Sequence, residues 1–549
     1  VIHEASRQLD RARADFTIAM DALEHVRTTI EAGELRATFL ESQISPYESL
    51  VRVLATMHAV SPTRAYADDA FVVVERFKSR SFVELLAESR ADVRRGLSEE
   101  QKLNEYALLK RITRAQSQLV GSGVDRSAME RALQEVSAAE DALLLLQTEF
   151  RRTNPAYANL KYPKAVNVHA VQTRLLADGE LLLEFSLGTK QSFLWMISKE
   201  SVRLVQLPSS KIIEEQARKF VHEIQRRPTT QTYDLSMRRV RKYGMQLSET
   251  LFGKAINEIA AAKKLIIVPD GVLFYVPFEA LTLPKSLGNE YLVERVPVSY
   301  VQSATVLDQL QEKTDSLRQH DGDRFALLAF GDPVFASASL ANINATRSLP
   351  DFYNIERLIS TREEVKQIAS YFPASKVRVY LGDTATEANI KKENLRAYRY
   401  LHFATHGFLD ERVPSRSGLL FSTGGDTTED GLLQMNEILN LDMNPDLVVL
   451  SACETGLGKL VKGEGMIGLT RAFHYAGARS LVVSLWKVAD VSTAELMKSF
   501  YATLATTHSS TNALRDAKRS MIRSAVPIWR HPYHWAAFVV QGDGGRTTP

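Results

Sequence analysis

Two stretches decide the reading of this chain: Tyr400-Leu401-His402-Phe403-Ala404-Thr405-His406-Gly407 and Leu447-Val448-Val449-Leu450-Ser451-Ala452-Cys453-Glu454-Thr455-Gly456. Each opens as a mostly apolar run and closes on a polar, glycine-ended segment. Short apolar runs without alternation read as strands buried on both faces, the pattern of a parallel sheet covered by helices. In open α/β sheets the functional crevice lies beyond the carboxyl ends of the strands. His406 lies just past the first run and Cys453 at the end of the second. If the two strands are neighbours, an imidazole and a thiol face one another across that crevice.

The same alternation extends outward. Phe325 to Phe330 reads as a strand stopped by Gly331-Asp332-Pro333. A helix follows, with Thr361 and Glu364 spaced as a capping box and Val365, Ile368 and Phe372 on one face. Val377 to Leu381 is the next strand, and Thr384 with Glu387 a second capping box. Beyond Cys453, Met466, Leu469 and Phe473 line a helix that Gly477 ends. Ser480 to Trp486 is a strand, Ser492 and Glu495 cap another helix, and Trp535 to Val540 is the last strand. Upstream, Leu181–Leu187 and Ser192–Ile197 read as strands joined by a turn at Gly188, followed by helices over 209–224 and up to Ala261. Leu265 to Val268 is a buried strand running into Pro269-Asp270-Gly271.

The first 150 or so residues read as helices. Phe16, Met20 and Leu23 fall on one stripe, Phe71 to Val74 and Phe82, Leu85 and Leu86 form further apolar clusters, and 129–150 is a long helical pattern. Prolines are few there, which suits paired helices like tetratricopeptide repeats, with a plain helical bundle as the other reading. The expected organisation is a helical region over 1–163, two α/β segments over 164–320 and 321–543, and a tail over 544–549.

Composition narrows the function. Of 549 residues, 68 are Lys or Arg and 65 Asp or Glu, a net charge of +3, so no basic excess marks a nucleic-acid or membrane-surface protein. No apolar run approaches the ~20 residues that span a bilayer. The start at Val1 shows no signal-peptide pattern and no initiator Met, and reads as a piece of a longer chain. The lone cysteine excludes an intrachain disulfide and a cysteine-based zinc site, and fits a reducing cytoplasm. Alone, such a cysteine is often a small core hydrophobe.

An adjacent imidazole changes that, because the thiolate is the reactive form and a base or imidazolium favours it. The N–H groups of Gly407 and Cys453 would form an oxyanion hole, each donor worth about 2.7–4 kcal/mol. His402 and His406 would lie ~13 Å apart along a strand, so no metal site is expected and His402 reads as a core histidine. Gly456-Leu457-Gly458-Lys459 lacks the first glycine and the Ser/Thr of a phosphate loop. His531 and His534 read as structural. Neither metal nor cofactor is expected.

Three motifs carry a resemblance: His402-Phe403-Ala404-Thr405-His406-Gly407, Ser451-Ala452-Cys453-Glu454-Thr455-Gly456 and Ser484-Leu485-Trp486-Lys487-Val488-Ala489-Asp490. With Val268-Pro269-Asp270-Gly271, Pro277-Phe278-Glu279-Ala280-Leu281 and Ser299-Tyr300-Val301-Gln302-Ser303-Ala304-Thr305, the chain from Val166 to Gln541 resembles the CHAT domain, of the caspase, separase and gingipain clan of cysteine peptidases. Cys453 follows His406 by 47 positions, near the ~50 that separates the pair in caspases.

The resemblance implies a caspase-like α/β fold, a mostly parallel sheet flanked by helices, preceded by a pseudo-caspase half and an all-α repeat-like region. It implies Cys453 as nucleophile and His406 as proton-transfer partner, in a dyad. It places Asp490 in an S1 pocket that favours Arg or Lys at P1, although an Asp there also suits a helix N-terminus. Glu464 is a second candidate for substrate contact and Asp332 a third. The implied function is a cysteine endopeptidase with a protein substrate, held in check by its helical region until an activating partner or signal arrives. Many members of the family serve prokaryotic defence or cell death. Nucleic acid would enter only through a larger complex, and no membrane is involved. The alternative is a catalytically silent scaffold for protein–protein interaction.

Overall fold

A computed structural model describes residues 8–28, 44–62, 64–78, 165–315, 324–335, 357–410, 414–422, 429–452, 458–461 and 465–545, with isolated positions between 82 and 149. The boundaries expected near 163 and 320, most of the 129–150 pattern and residues 546–549 lie outside the described residues.

Among the described residues, five strands come first: β1 (Glu180–Ser186), β2 (Ser192–Ile197), β3 (Val202–Leu207), β4 (Lys264–Val268) and β5 (Val298–Tyr300). The next group is β6 (Phe325–Gly331), β7 (Val377–Leu381), β8 (Tyr398–Ala404), β9 (His406–Phe408), β10 (Gly418–Leu420), β11 (Leu432–Gln434) and β12 (Leu447–Leu450). The last are β13 (Lys459–Val461), β14 (Gly465–Ile467), β15 (Ser480–Ser484) and β16 (Phe538–Gly542). Eleven of them form one sheet in the order β3-β2-β1-β4-β5-β16-β15-β12-β8-β6-β7. It is mostly parallel. The antiparallel pairings are β1 with β2, β2 with β3, and β15 with β16.

The two α/β segments therefore share a single sheet, and the last strand of the chain joins them. β16 runs antiparallel to β15 and pairs in parallel with β5 through Gln541 and Tyr300.

The first strands show why their sequence is apolar throughout. Leu181, Leu183 and Phe185 of β1, Leu194 and Met196 of β2, and Leu265 and Ile267 of β4 join the main core with the Ser210–Gln225 and Tyr233–Phe252 helices. The alternate residues Leu182, Phe193, Trp195, Ile197, Ile266 and Val268 pack instead with Phe16, Tyr47, Leu54, Phe71 and Val74. These come from the N-terminal helices Leu9–Thr28, Ser45–Val60 and Arg64–Phe77. The helical region thus supplies the cover for one face of the first strands.

The Trp195 indole donates to the Ala67 carbonyl (3.0 Å) and meets Phe71 edge-on at 6.4 Å between centroids. Burying each such large side chain contributes about 1.5–3 kcal/mol, so the region and the sheet stabilise one another. Glu184 of β1 is buried on this side with Lys78 Nζ at 3.4 Å. Burial, with Glu75 nearby, pushes its carboxyl well above the usual range.

The expected caps form differently. The Ser360–Ala369 helix has no side-chain cap; Thr361 holds the Leu358 carbonyl, and Glu364 turns inward. The Glu387–Lys392 helix is capped by Thr386, not Thr384, and the Asp490–Thr507 helix starts two residues before Ser492. Spacing alone does not distinguish a capping glutamate from one on the buried side of the same first turns. Gly477 ends the Leu469–Ala476 helix as expected, at φ 127, where a Cβ would lie 1.8 Å from the Met443 carbonyl oxygen.

Candidate active site

β8 and β12 are neighbours and parallel, with Leu447 opposite Tyr400, Val448 opposite Leu401, Val449 opposite His402 and Leu450 opposite Phe403. Their carboxyl ends therefore leave the sheet side by side. β8 stops at Ala404, the chain bends at Thr405, and His406 opens β9. β9 pairs antiparallel with β10, His406 opposite Leu420 and Gly407 opposite Leu419, and β10 pairs with β11. The Thr405 hydroxyl donates to the Leu420 carbonyl. His406 is thus fixed at the root of a small three-stranded sheet that follows β8. It is half-buried, its ring 5.7 Å from that of Phe335. Phe335 belongs to the segment leaving β6, and packs with Phe408, Leu420 and Leu432.

Beyond Leu450 the described chain continues through Ser451 and Ala452 and resumes at Gly458. Cys453 and Glu464 lie outside the described residues. The two residues before Cys453 are held from both sides. The Ser451 hydroxyl donates to Glu364 Oε1 (2.9 Å), and the Ala452 carbonyl accepts from the Ser484 hydroxyl (2.6 Å) at the end of β15. His402 is buried with both ring nitrogens engaged, Nε2 with Glu364 Oε1 and Nδ1 with the Tyr501 hydroxyl, each at 3.1 Å.

Asp332 lies where β6 leaves the sheet, at φ 52, and is fully buried. Its carboxylate oxygens accept from Arg357 Nε (2.6 Å), a second Arg357 nitrogen (2.8 Å) and Arg362 Nε (2.6 Å). Burial works to raise this carboxyl, but the bonds from Arg357 and Arg362 outweigh it and hold the group below its usual range. The carboxylate expected to receive a substrate cation already holds two guanidinium groups.

Asp490 is half-buried in the first turn of the Asp490–Thr507 helix, where the helix dipole favours an anion. The segment leading to it is fixed from the C-terminal part of the chain. The Trp486 indole donates to the Tyr533 carbonyl (3.1 Å), and the Tyr533 hydroxyl to the Lys487 carbonyl (2.9 Å).

The remaining motifs are joints. Glu279 is buried between Lys518 Nζ (2.7 Å) and the Tyr300 hydroxyl, which also accepts from the Phe278 N–H (2.8 Å). Among the described residues, one cluster has the spacing of metal ligands: Glu387, Glu429 and Glu437. The Lys391 ammonium sits 2.6, 2.7 and 2.8 Å from the three, so the cluster is an ion-pair network with its cation in place. His531 and His534 are buried, hydrogen-bonded to Ser236 and Ser492 (3.0 Å each), and burial lowers both to about 4. Sequence reasoning missed the contacts of Glu364 with Ser451 and of Ser484 with Ala452; neither spacing nor composition marks them.

The described residues form a large, mostly parallel α/β sheet flanked by helices, with a histidine beyond the end of one strand and a cysteine that follows the neighbouring strand in sequence. The CHAT domain model matches residues 241–543, more than half of the chain, and the chain belongs to the CHAT domain family. It is 27% identical over 312 residues to human (Homo sapiens) tetratricopeptide repeat protein 28, a match covering 51% of this chain and 12% of that one. Among solved structures it is similar to the separase–securin complex of Saccharomyces cerevisiae (TM-score 0.46, 10% identity, 98% of this chain and 48% of that one). It is also similar to the Arg-specific cysteine proteinase gingipain R (TM-score 0.35, 11% identity, 61% of this chain and 76% of that one). The chain thus spans a small part of the curated relative and about half of the separase chain.

Proposed function

We propose that the chain is a cysteine endopeptidase that cleaves a protein substrate with a Cys453–His406 dyad. The observation that carries this reading is the pairing of β8 with β12. Every described pair from Leu447–Tyr400 to Leu450–Phe403 is offset by 47 positions, and 47 is also the separation of Cys453 from His406. Counted along the sequence, the two reactive residues follow adjacent parallel strands at that same offset.

The Cys453 thiolate attacks the scissile carbonyl carbon, forming a C–S bond, while the Gly407 and Cys453 N–H groups receive the oxyanion. The intermediate collapses, the C–N bond breaks, and the leaving nitrogen takes a proton from the His406 imidazolium. His406 then removes a proton from water, which attacks the thioester, releasing the carboxylic acid and restoring the thiol. Asp490 selects Arg or Lys at P1, with Glu464 as a further substrate contact. Asp332, whose carboxylate already accepts from Arg357 and Arg362, is the weaker candidate for a substrate contact. The helical region carries the control, exerted by an activating protein or assembly, in a cytoplasmic defence or cell-death setting. Among the described residues no helix is long and apolar enough to cross a membrane.

Replacing Cys453 with Ala should abolish cleavage of the cognate protein with folding intact; undiminished cleavage refutes the assignment. The second reading, a silent scaffold, draws on the packing of the helical region against β1, β2 and β4. An electrophilic peptide probe separates the two, since a scaffold would leave Cys453 unlabelled with the activator present.

A further inference from the structure

We infer that Glu364, His402, Tyr501 and Ser484 are positioning residues that fix the chain entering Cys453, acting through Ser451 and Ala452. The inference rests on the nucleophile reading above and extends it to residues assigned no contact with substrate.

Four elements converge on these two positions. Glu364 comes from the Ser360–Ala369 helix, His402 from β8, Tyr501 from the Asp490–Thr507 helix and Ser484 from the end of β15. All are buried, as are Ser451 and Ala452. Protons can be assigned along the chain of bonds. Carboxylate oxygens only accept, so Nε2 of His402 carries its proton and donates to Glu364 Oε1. Nδ1 lies 3.1 Å from the Tyr501 hydroxyl, which burial, with the nearby Glu364 charge, keeps protonated. The Ser451 hydroxyl donates to the same Glu364 oxygen. From the opposite side Ser484 pins the Ala452 carbonyl. Consecutive residues are thus tethered to strands and helices on both flanks, one by its side chain and the next by its backbone.

A nucleophile must approach its carbonyl to ~3–3.5 Å, and a displacement of ~1 Å can cost about a hundredfold in rate. The same placement sets how strongly an imidazole favours the thiolate. Loosening either tether should therefore change chemistry at Cys453 before it changes folding.

Because the chain has one cysteine, alkylation by iodoacetamide reports on Cys453 alone. Its rate is measured against pH for the full chain, for His406→Ala, and for Ser451→Ala, Ser451→Thr and Ser484→Ala. The full chain should alkylate with a midpoint below the ~8.5 of a free thiol, and His406→Ala should restore that value. Ser451→Ala and Ser484→Ala should move the midpoint upward with thermal unfolding still cooperative. They should also lower kcat on a basic-P1 fluorogenic peptide about ten- to a hundredfold, with KM within about twofold. Ser451→Thr, which keeps the hydroxyl, should restore both. A full-chain midpoint at the free-thiol value overturns the nucleophile reading itself. A lowered midpoint that His406→Ala abolishes, but that both alanine variants of the serines leave unchanged, overturns the positioning role alone.

Discussion

Glu75, in a helix of the N-terminal region, caps the helix that begins at Ala304. Its two carboxylate oxygens accept from the Ala304 N–H (2.9 Å), the Thr305 N–H (2.7 Å) and the Thr305 hydroxyl. The residues of this joint are buried, and 229 positions separate Glu75 from Ala304. Phe82 adds a second contact, lying 5.2 Å from the Arg471 guanidinium and 6.1 Å from the His474 ring in the Leu469–Ala476 helix. That helix follows β14, so the helical region touches the chain both before and after Cys453 in sequence.

Glu75→Ala should destabilise the protein by about 2 kcal/mol, the upper range for losing a cap, since two backbone donors and a hydroxyl lose their acceptor in the interior. Glu75→Gln should recover part of that, because an amide keeps one acceptor oxygen but turns an NH2 towards donors. Urea unfolding of the two variants checks the order; equal stability of Glu75→Ala and the parent contradicts the joint.

Acid should weaken the fold through His531 and His534. Both are lowered from 6.5 to about 4, His531 by burial and then the neighbouring His534, His534 by burial and then Arg227. The unfolded chain therefore binds more protons than the folded one between those values, and stability falls as pH drops from 6.5 towards 4. Each group accounts for at most about 3 kcal/mol at the acid end. Substituting both by Asn should flatten thermal stability across that window. An unaltered slope would show that other groups govern it.

Specificity should follow Asp490 and not Asp332. Asp490→Ala should lower kcat/KM on Arg- or Lys-P1 peptides about ten- to a hundredfold, the value of a charge-assisted contact. Asp332→Asn should lower stability, because Arg357 and Arg362 lose their anion, while leaving the P1 preference as it was. A set of P1-varied peptides reads both outcomes, and a loss of basic preference on Asp332→Asn alone would reverse the assignment.

Much of the sheet is legible in the sequence because its strands are covered on both faces. Leu447–Leu450 and Lys264–Val268 are buried at every position, and a strand covered in this way is filled almost wholly by apolar residues. The three-residue strands β5, β9, β10, β11, β13 and β14 are too short to show a period. β3 is partly exposed at most of its positions, so burial imposes no apolar run on it. The helices of the first region are visible in their apolar stripes, but a stripe does not say what it packs against, and its cover of Leu182 and Trp195 emerges only in three dimensions. His406 stands out because it sits beside a glycine after a strand. Glu364 does not, since its distance from Thr361 fits a cap as well as it fits a buried bond to His402.

The most direct test of the Cys453–His406 dyad is intact-mass and peptide-mapping measurement of the full chain treated with a peptidyl-arginine chloromethyl ketone, with and without His406→Ala. One adduct is expected, on Cys453, and its rate of formation should collapse when the imidazole is removed. An adduct on another residue, or labelling of Cys453 at the same rate without His406, would contradict the dyad.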